Sequence, residues 1–290
     1  MFDPAQLAAL AAAHRRGSFD LAAADLHVTP SAISQRIKAL EEATGTLLIR
    51  RERPCTATET GQRLVRHHDE TALLNAALAQ DLRQATRTPT LRIAVNADSL
   101  ATWVIPALAA TSGYLYDIVI DDQDTSRALL KSGDVAAAIT SHPGPLQGCD
   151  TLALGTMRYR ATASPAFVAR WFSDGVTAQT LSGAPALCFN DKDRLQLQWA
   201  ARHGQTNALP SHRLASSHGF VDACLMGLGW GMNPETLIAA HLDTGALVDL
   251  DPKTPLDMPL YWQWGRLTAA AIAPLTRALR EAAKALHPQV

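Results

Sequence analysis

The sequence predicts a multidomain α+β protein, and three observations carry that reading. Three short amphipathic helices open the chain, one long proline-free helical stretch follows, and from Leu91 short apolar runs alternate with helical segments. With 290 residues the chain can form two or three units that each bury a core. Apolar content of 47% and charged content of 18% are ordinary for globular proteins, which argues against disorder. No stretch reaches the roughly 18 consecutive apolar residues of a membrane span, so no membrane partner is expected. Met1-Phe2-Asp3-Pro4 carries neither a basic region nor an apolar leader, and the expected location is the cytoplasm.

The first helix covers residues 4 to 16. Pro4 suits its first turn, Leu7, Leu10 and Ala11 share a face, and Gly17 is a stop signal. Ser18 is positioned to cap a second helix with Phe19, Ala22, Ala23 and Leu26 at helical spacing. After a short turn, Thr29 and Pro30 start a third helix whose Ile33, Ile37 and Leu40 form an i, i+4, i+7 stripe ending near Gly45. Helices this close together fit a helix-turn-helix. Residues 47 to 58 read as a two-stranded hairpin, or wing, with an arginine-rich tip broken by Pro54. From Glu59 to about Arg87 a long helix is expected, with Leu64, Thr71, Leu74, Leu78 and Leu82 in an approximately heptad seam that favours dimerisation. Strands are then expected near 91–96, 117–121, 135–140, 186–190, 212–216, 229–232 and 260–264, with helices at 125–132, 218–226 and 274–286 among those between them.

A formal net charge of −1 gives no general attraction to nucleic acid, so a DNA-binding role must rest on local pattern. Between Ser34 and Arg66 the cations Arg36, Lys38, Arg50, Arg51, Arg53, Arg63 and Arg66 outweigh Glu41, Glu42, Glu52 and Glu59. A helix opening with Thr29-Pro30-Ser31 and turning Ser34, Gln35 and Lys38 outward offers short polar groups to base edges in a major groove. Gln35 is the best base reader, because its amide can pair bidentately with adenine. Ser31 and Ser34 suit bases or phosphates; Lys38, Arg50, Arg51 and Arg53 suit phosphate or minor-groove contact. The plain alternative is a solvated helix face.

The segment SFDLAAADLHVTPSAISQRIKALEEATGTLLIRRERPCTATETG resembles the N-terminal domain of the LysR-type transcriptional regulators in order, spacing and wing. That resemblance implies a positioning helix from Ser18 to Leu26, a recognition helix from Thr29 to Ala43 and a dimerising linker over 60–86. Downstream, LRIAVNADSLATWVIPAL, RALLKSGDVAAAIT, LALGTMRYRA, GLGWGMNPET and PLYWQWGRL are similar to the ArgP/LysG subgroup, and the two matches together span nearly the whole chain. The subgroup implies a sensor of lysine or arginine that controls an amino acid exporter gene. It also implies a periplasmic-binding-protein-like pair of α/β lobes with the effector in the cleft. The expected division is a winged helix-turn-helix over 1–59, a linker helix over 60–88, effector lobe I over 89–160 plus 267–290, and lobe II over 161–266. The expected partners are a double-stranded DNA operator, further copies of the chain as homodimer or homotetramer, and RNA polymerase.

For the effector, Asp98, Ser99 and Thr102 lie between a strand and a helix start, where hydroxyls and free N–H groups suit a carboxylate. Ser216 and Ser217 precede a second-lobe helix and could close on the same ligand, or serve as simple helix caps. Asp122, in the run Asp121-Asp122-Gln123-Asp124, is the best acid for a cationic side chain, and Trp103 is the aromatic chosen for its alkyl stem. Gln123 and His218 stand where the subgroup pattern has acids, which leaves a different amino acid, or a pH-sensitive response through His218, open. Cys55, Cys149, Cys188 and Cys224 form no CxxC pair and read as structural thiols; the histidines match no metal-site spacing, and no cofactor is expected. No catalytic motif is present, so an enzyme is the least favoured class. A solute receptor or a broadly binding nucleoid or replication protein are the other function classes; the first 60 residues argue against the receptor.

Overall fold

The structure, a computed structural model, describes residues 2–84, 88–120, 125–144 and 146–289. Helices α1 (Pro4–Arg16), α2 (Phe19–Asp25) and α3 (Pro30–Thr44) pack around Leu7, Leu10, Ala22, Ile33, Ile37 and Leu40, the stripes predicted from spacing. Thr29 caps α3, its Oγ1 accepting the Ala32 N–H at 3.2 Å. Ser18 occupies the cap position of α2, but its side chain makes no capping bond there. Strands β1 (Ile49–Arg50) and β2 (Thr56–Ala57) form the wing, pairing antiparallel with Ile49 opposite Ala57.

The linker helix α4 (Glu59–Asp81) is divided in its packing. Leu64 and Val65 belong to the N-terminal core, so Leu64 is withdrawn from the expected seam, and Leu73 joins the core of the C-terminal half. Leu74, Leu78 and Leu82 remain exposed on another face.

The C-terminal part alternates strand and helix: β3 (Thr90–Val95), α5 (Ala97–Ser99), a π turn (Leu100–Val104), α6 (Ile105–Ala109), β4 (Leu115–Ile120), α7 (Thr125–Ser132) and β5 (Ala137–Thr140). There follow β6 (Cys149–Ala163), α8 (Pro165–Trp171), α9 (Ala178–Gly183), β7 (Ala186–Cys188), α10 (Leu195–Arg202) and β8 (Ser211–Arg213). The chain closes with α11 (Ser217–Leu225), β9 (Gly231–Pro234), α12 (Glu235–Asp243), β10 (Val248–Asp249), β11 (Leu256–Gly265) and α13 (Ala273–Ala282). One sheet has the order β10-β6-β11-β5-β3-β4, with β9 also on β6; β7 and β8 form a separate parallel pair. The β3, β4 and β5 pairings are parallel, as the α/β pattern requires, whereas β6 and β11 run antiparallel along each other.

The expected strands are present with shifted ends, but the sequence reading has no strand between 140 and 186, where the 15-residue β6 lies. Its second half did carry a signal: Met157, Tyr159, Ala161 and Ala163 are buried while Arg158 and Arg160 alternate with them. The first half lacks that alternation and is fixed by pairing with β11, a partner distant in sequence. At Leu260/Tyr261 the register of β11 shifts opposite Gly155, whose φ of +145° places it in a region closed to larger residues.

Candidate functional site

On the N-terminal unit, Thr29, Pro30, Ser31, Gln35 and Lys38 are exposed along the start and outer face of α3, and Ser34 is half-buried. Arg50, Arg51 and Arg53 are exposed on the wing. The side chains expected to meet DNA therefore share the solvent side of one small unit. Two are already engaged: Lys38 pairs with Glu42 at 3.6 Å, and the Arg51 guanidinium lies 5.6 Å from the Phe19 ring centre. An exposed i,i+4 pair is weak and yields easily to a phosphate.

The second site is a cavity of about 320 Å³ lined by the ends of β3 and β4, by β6 and β11, and by α10, α11 and β9 from the other side. That volume is at the lower end of ligand pockets and suits a free amino acid. The Asp98 carboxylate accepts a 2.8 Å hydrogen bond from the Tyr159 hydroxyl. Burial raises the Asp98 pKa; Ser217 and Tyr159 pull it back down, and the charge of Asp193 pushes it up again. Burial and the adjacent Asp98 raise Tyr159 well above the ordinary phenol value, so it stays a neutral donor.

Three further polar side chains on this wall lack partners. Asn96 Oδ1 accepts the Ser99 N–H at 2.7 Å, which fixes the amide so that the unpartnered buried atom is the donor Nδ2. Asn233 Nδ2 donates to Thr162 Oγ1 at 3.0 Å, which leaves the acceptor Oδ1 without a partner. Ser217 Oγ, beside Asp98, makes no hydrogen bond of standard geometry. Buried polar atoms are nearly always satisfied, so a cavity bordered by an unpaired donor, acceptor and hydroxyl is built for a polar guest.

Of the effector residues expected from sequence, Asp98 and Ser217 meet on this wall. Ser99 is fully buried with its hydroxyl unpartnered and is not part of the lining. Thr102 Oγ1 donates to the Asp98 carbonyl at 2.6 Å, because a helical threonine reaches back one turn. Trp103 is withdrawn into the core at 4% exposure and borders a different, smaller cavity with Thr156 and His287. Ser216 is an exposed cap for the Gly219 N–H, and His218 is exposed away from the cleft lining. Asp122 and Gln123 lie outside the described residues. Sequence reasoning missed Asn96, Tyr159, Asp193 and Asn233. Tyr159 and Asn233 sit inside the quoted segments LALGTMRYRA and GLGWGMNPET, but nothing local showed that they face Asp98. Asp193 is held in the turn before α10, its carboxylate accepting the Phe189 and Leu195 N–H groups at 2.9 and 3.1 Å.

A displayed helix and wing joined to a two-lobed domain with a polar, ligand-sized cleft define a ligand-responsive DNA-binding regulator. Residues 4–62 match the bacterial regulatory helix-turn-helix protein, lysR family, and residues 84–284 match the LysR substrate binding domain; the chain belongs to the LysR family of transcriptional regulators. It is 45% identical over 290 residues to the HTH-type transcriptional regulator LysG of Mycobacterium tuberculosis, covering 98% of this chain and 95% of that protein. It is 40% identical over 285 residues to ArgP of Pseudomonas aeruginosa, covering 96% and 95%. The crystal structure of ArgP from Mycobacterium tuberculosis superposes with a TM-score of 0.84 at 42% identity, over all of both chains. Full-length LysG from Corynebacterium glutamicum with bound effector Arg gives a TM-score of 0.72 at 37% identity, over 99% of this chain and all of that one. The expected family and fold class stand, and the protein is a regulator rather than an enzyme. Among the described residues no helix is long and apolar enough to cross a membrane.

Proposed function

We propose that this regulator binds a free amino acid with a cationic side chain, lysine or arginine, in the interlobe cleft and thereby controls an amino acid exporter gene. The observation that carries the reading is that Asn96, Ser217 and Asn233, each with a buried polar atom lacking a partner, line one cavity together with Asp98. A zwitterion needs donors for its carboxylate and acceptors for its ammonium group, and this set has both. The N-terminus of α11 adds free N–H groups to the same cavity. Asp193, in the second lobe, gives a cationic side chain a fixed acid. The bound arginine of the Corynebacterium glutamicum relative supports the basic class.

The DNA side of the proposal assigns Gln35 to base reading, Ser31 and Ser34 to bases or phosphates, and Lys38, Arg50, Arg51 and Arg53 to the backbone or minor groove. The exposed stripe of Leu74 and Leu78 on α4, with Leu82 at its C-cap, supports pairing of two chains, which would set two recognition helices on a two-fold operator. Assembly into dimers or tetramers, contact with RNA polymerase and a cytoplasmic location complete the proposal. We divide the effector domain into two lobes that hinge near Gly155 and Leu260, a few residues before the boundaries read from sequence.

Calorimetry of the full chain against each of the twenty amino acids tests the cleft. Arginine or lysine should bind, and Asp98→Asn should weaken that binding at least about tenfold, the scale of losing a charge-assisted hydrogen bond. If no amino acid binds, or if binding is indifferent to Asp98, the effector reading is wrong.

A further inference from the structure

Lobe I meets the DNA-binding unit at the C-terminal end of α7. The carbonyl of Lys131 accepts a hydrogen bond from Arg66 Nη2 of the linker helix at 2.5 Å. Gly133, with φ of +82°, lies against the same guanidinium, and a Cβ there would sit 1.7 Å from Arg66 Nε. Asp134 Oδ1 is 3.4 Å from His14 Nε2 on α1, while the Asp134 carboxylate also accepts from Ser132 Oγ at 2.6 Å. The other ring nitrogen, His14 Nδ1, accepts the Ala57 N–H of the wing at 3.1 Å. An accepting Nδ1 carries no proton, so the proton of the neutral ring is on Nε2 and points at Asp134. One imidazole thus joins lobe I, α1 and the wing.

The two ends of this arrangement reach both functional sites. Leu7 and Leu10 of α1 share a core with Ile33, Ile37 and Leu40 of α3, so α1 cannot shift without α3. On its other side α7 packs against β3 and β5, and Asn96 and Ser141, the residues that directly follow those strands, line the effector cleft. The docking turn is not locked by packing on its remaining side: a second cavity, of about 350 Å³, lies between α4 and lobe I and is bordered by Arg66, Glu70, Lys131 and Gly133. A turn held by a few polar contacts beside open space can be released at little packing cost, and a coupling element requires a second arrangement of that kind.

We infer that the turn Lys131–Asp134 is the coupling contact of this regulator, with α7 carrying the state of the cleft to α1 and the wing through Asp134 and His14. The inference rests on the effector reading above, because a ligand shifts such an equilibrium only if it binds the docked and released forms unequally. His14 and Asp134 are positioning residues and touch neither the effector nor, by this account, the DNA.

The test uses the full chain and the DNA upstream of its own gene, with L-arginine and L-lysine as effector probes. DNA affinity is measured with and without saturating probe in the wild type, in His14→Ala, in Asp134→Ala and in the double variant, and the ratio of the two affinities is the coupling factor. Couplings of this type run from about 5-fold to about 150-fold. Each single variant should reduce the factor by about threefold or more, the double variant should lose no more than either single, and probe affinity without DNA should stay within about twofold of wild type. Asp134→Asn keeps an acceptor oxygen and should retain most of the coupling. An unchanged factor in both alanine variants, or losses that add in the double variant, overturns the inference.

Hydrogen exchange supplies an arm that needs no effector and no alanine variant. Adding DNA to the wild type should change exchange at the amides of residues 133 to 135, which bond to carbonyls of α7. An absence of change there overturns the coupling role even when arginine binds. A change there with neither amino acid binding keeps the coupling role and removes the effector reading instead.

Discussion

The Tyr159 hydroxyl donates to Asp98 Oδ2 at 2.8 Å, and that bond joins the long strand β6 to α5, the short helix after β3. Tyr159 is 1% exposed, so the carboxylate it meets is held in a largely dry wall. The bond therefore fixes an acid of raised pKa on the wall of the cleft in which we propose that the effector sits.

Proton linkage should report this directly. Burial raises the folded Asp98 pKa above the unfolded value of about 3.9, so the protonated form favours the folded state below that value, and the advantage is lost as pH rises through the folded pKa. An ammonium group placed on Asp98 opposes the shift and expels the proton. Affinity should then fall as pH drops through the raised pKa, and calorimetry over an acidic pH series in two buffers of different ionisation enthalpy should show net proton release that fades as the pH rises. Asp98→Asn should abolish the release; Tyr159→Phe should keep it with a smaller loss of affinity, about fivefold, for one hydrogen bond.

DNA recognition should separate into two behaviours. Arg53→Ala removes a wing cation and should flatten the slope of log affinity against log salt by about 0.9, the value for one phosphate contact. Gln35→Ala should leave that slope nearly unchanged while relaxing sequence preference by about 1–3 kcal/mol at one base pair. Binding assays across a salt series, on matched operator and scrambled duplexes, distinguish the two; equal loss on every sequence would remove Gln35 from base reading.

The proposed assembly through the exposed face of α4 is open to a direct test. Leu78 is 57% exposed in the single chain, and Leu78→Glu places a charge in the proposed seam without touching either core. Ultracentrifugation should show dissociation toward monomer, with DNA affinity falling as the paired recognition helices separate. Retention of the wild-type mass would place the subunit contact elsewhere.

The core of the C-terminal part has a sensitive point at Trp199. Its ring is fully buried, lies 5.2 Å from that of Trp230, and donates from Nε1 to the Thr254 carbonyl at 3.0 Å. Trp199→Ala should cost about 3–5 kcal/mol and Trp199→Phe about 1–3, the second mainly from the stranded carbonyl. Thermal unfolding of the full chain measures both, and a smaller loss for alanine than for phenylalanine would contradict this assignment.

The N-terminal unit was readable from sequence because its information is local. Ile33, Ile37 and Leu40 lie within three turns of one helix, Thr29 caps it from the adjacent position, and every exposed candidate for DNA contact belongs to α3, its cap or the wing. The cleft was legible only in outline. Asp98 and Ser217, chosen because strand ends and helix starts border the crevice of α/β sheets, do line the cavity, but the same rule also selected Thr102, which bonds its own helix, and Ser216, which caps one. Trp103 shows the limit most clearly: an aromatic at a helix start serves a wall or a core, and here a packed core took it.

Residue order alone determined the class of fold, the helix-turn-helix with its wing and the polar surface it displays, because capping and periodicity act over a few residues. Tertiary structure alone decided that Tyr159 answers Asp98, that Asn96 and Asn233 leave opposite halves of an amide unpaired in one cavity, and that His14 reaches Asp134. Those partners are separated by 61 to 137 positions, and whether two such groups meet depends on sheet register and lobe packing, which no short stretch of sequence encodes.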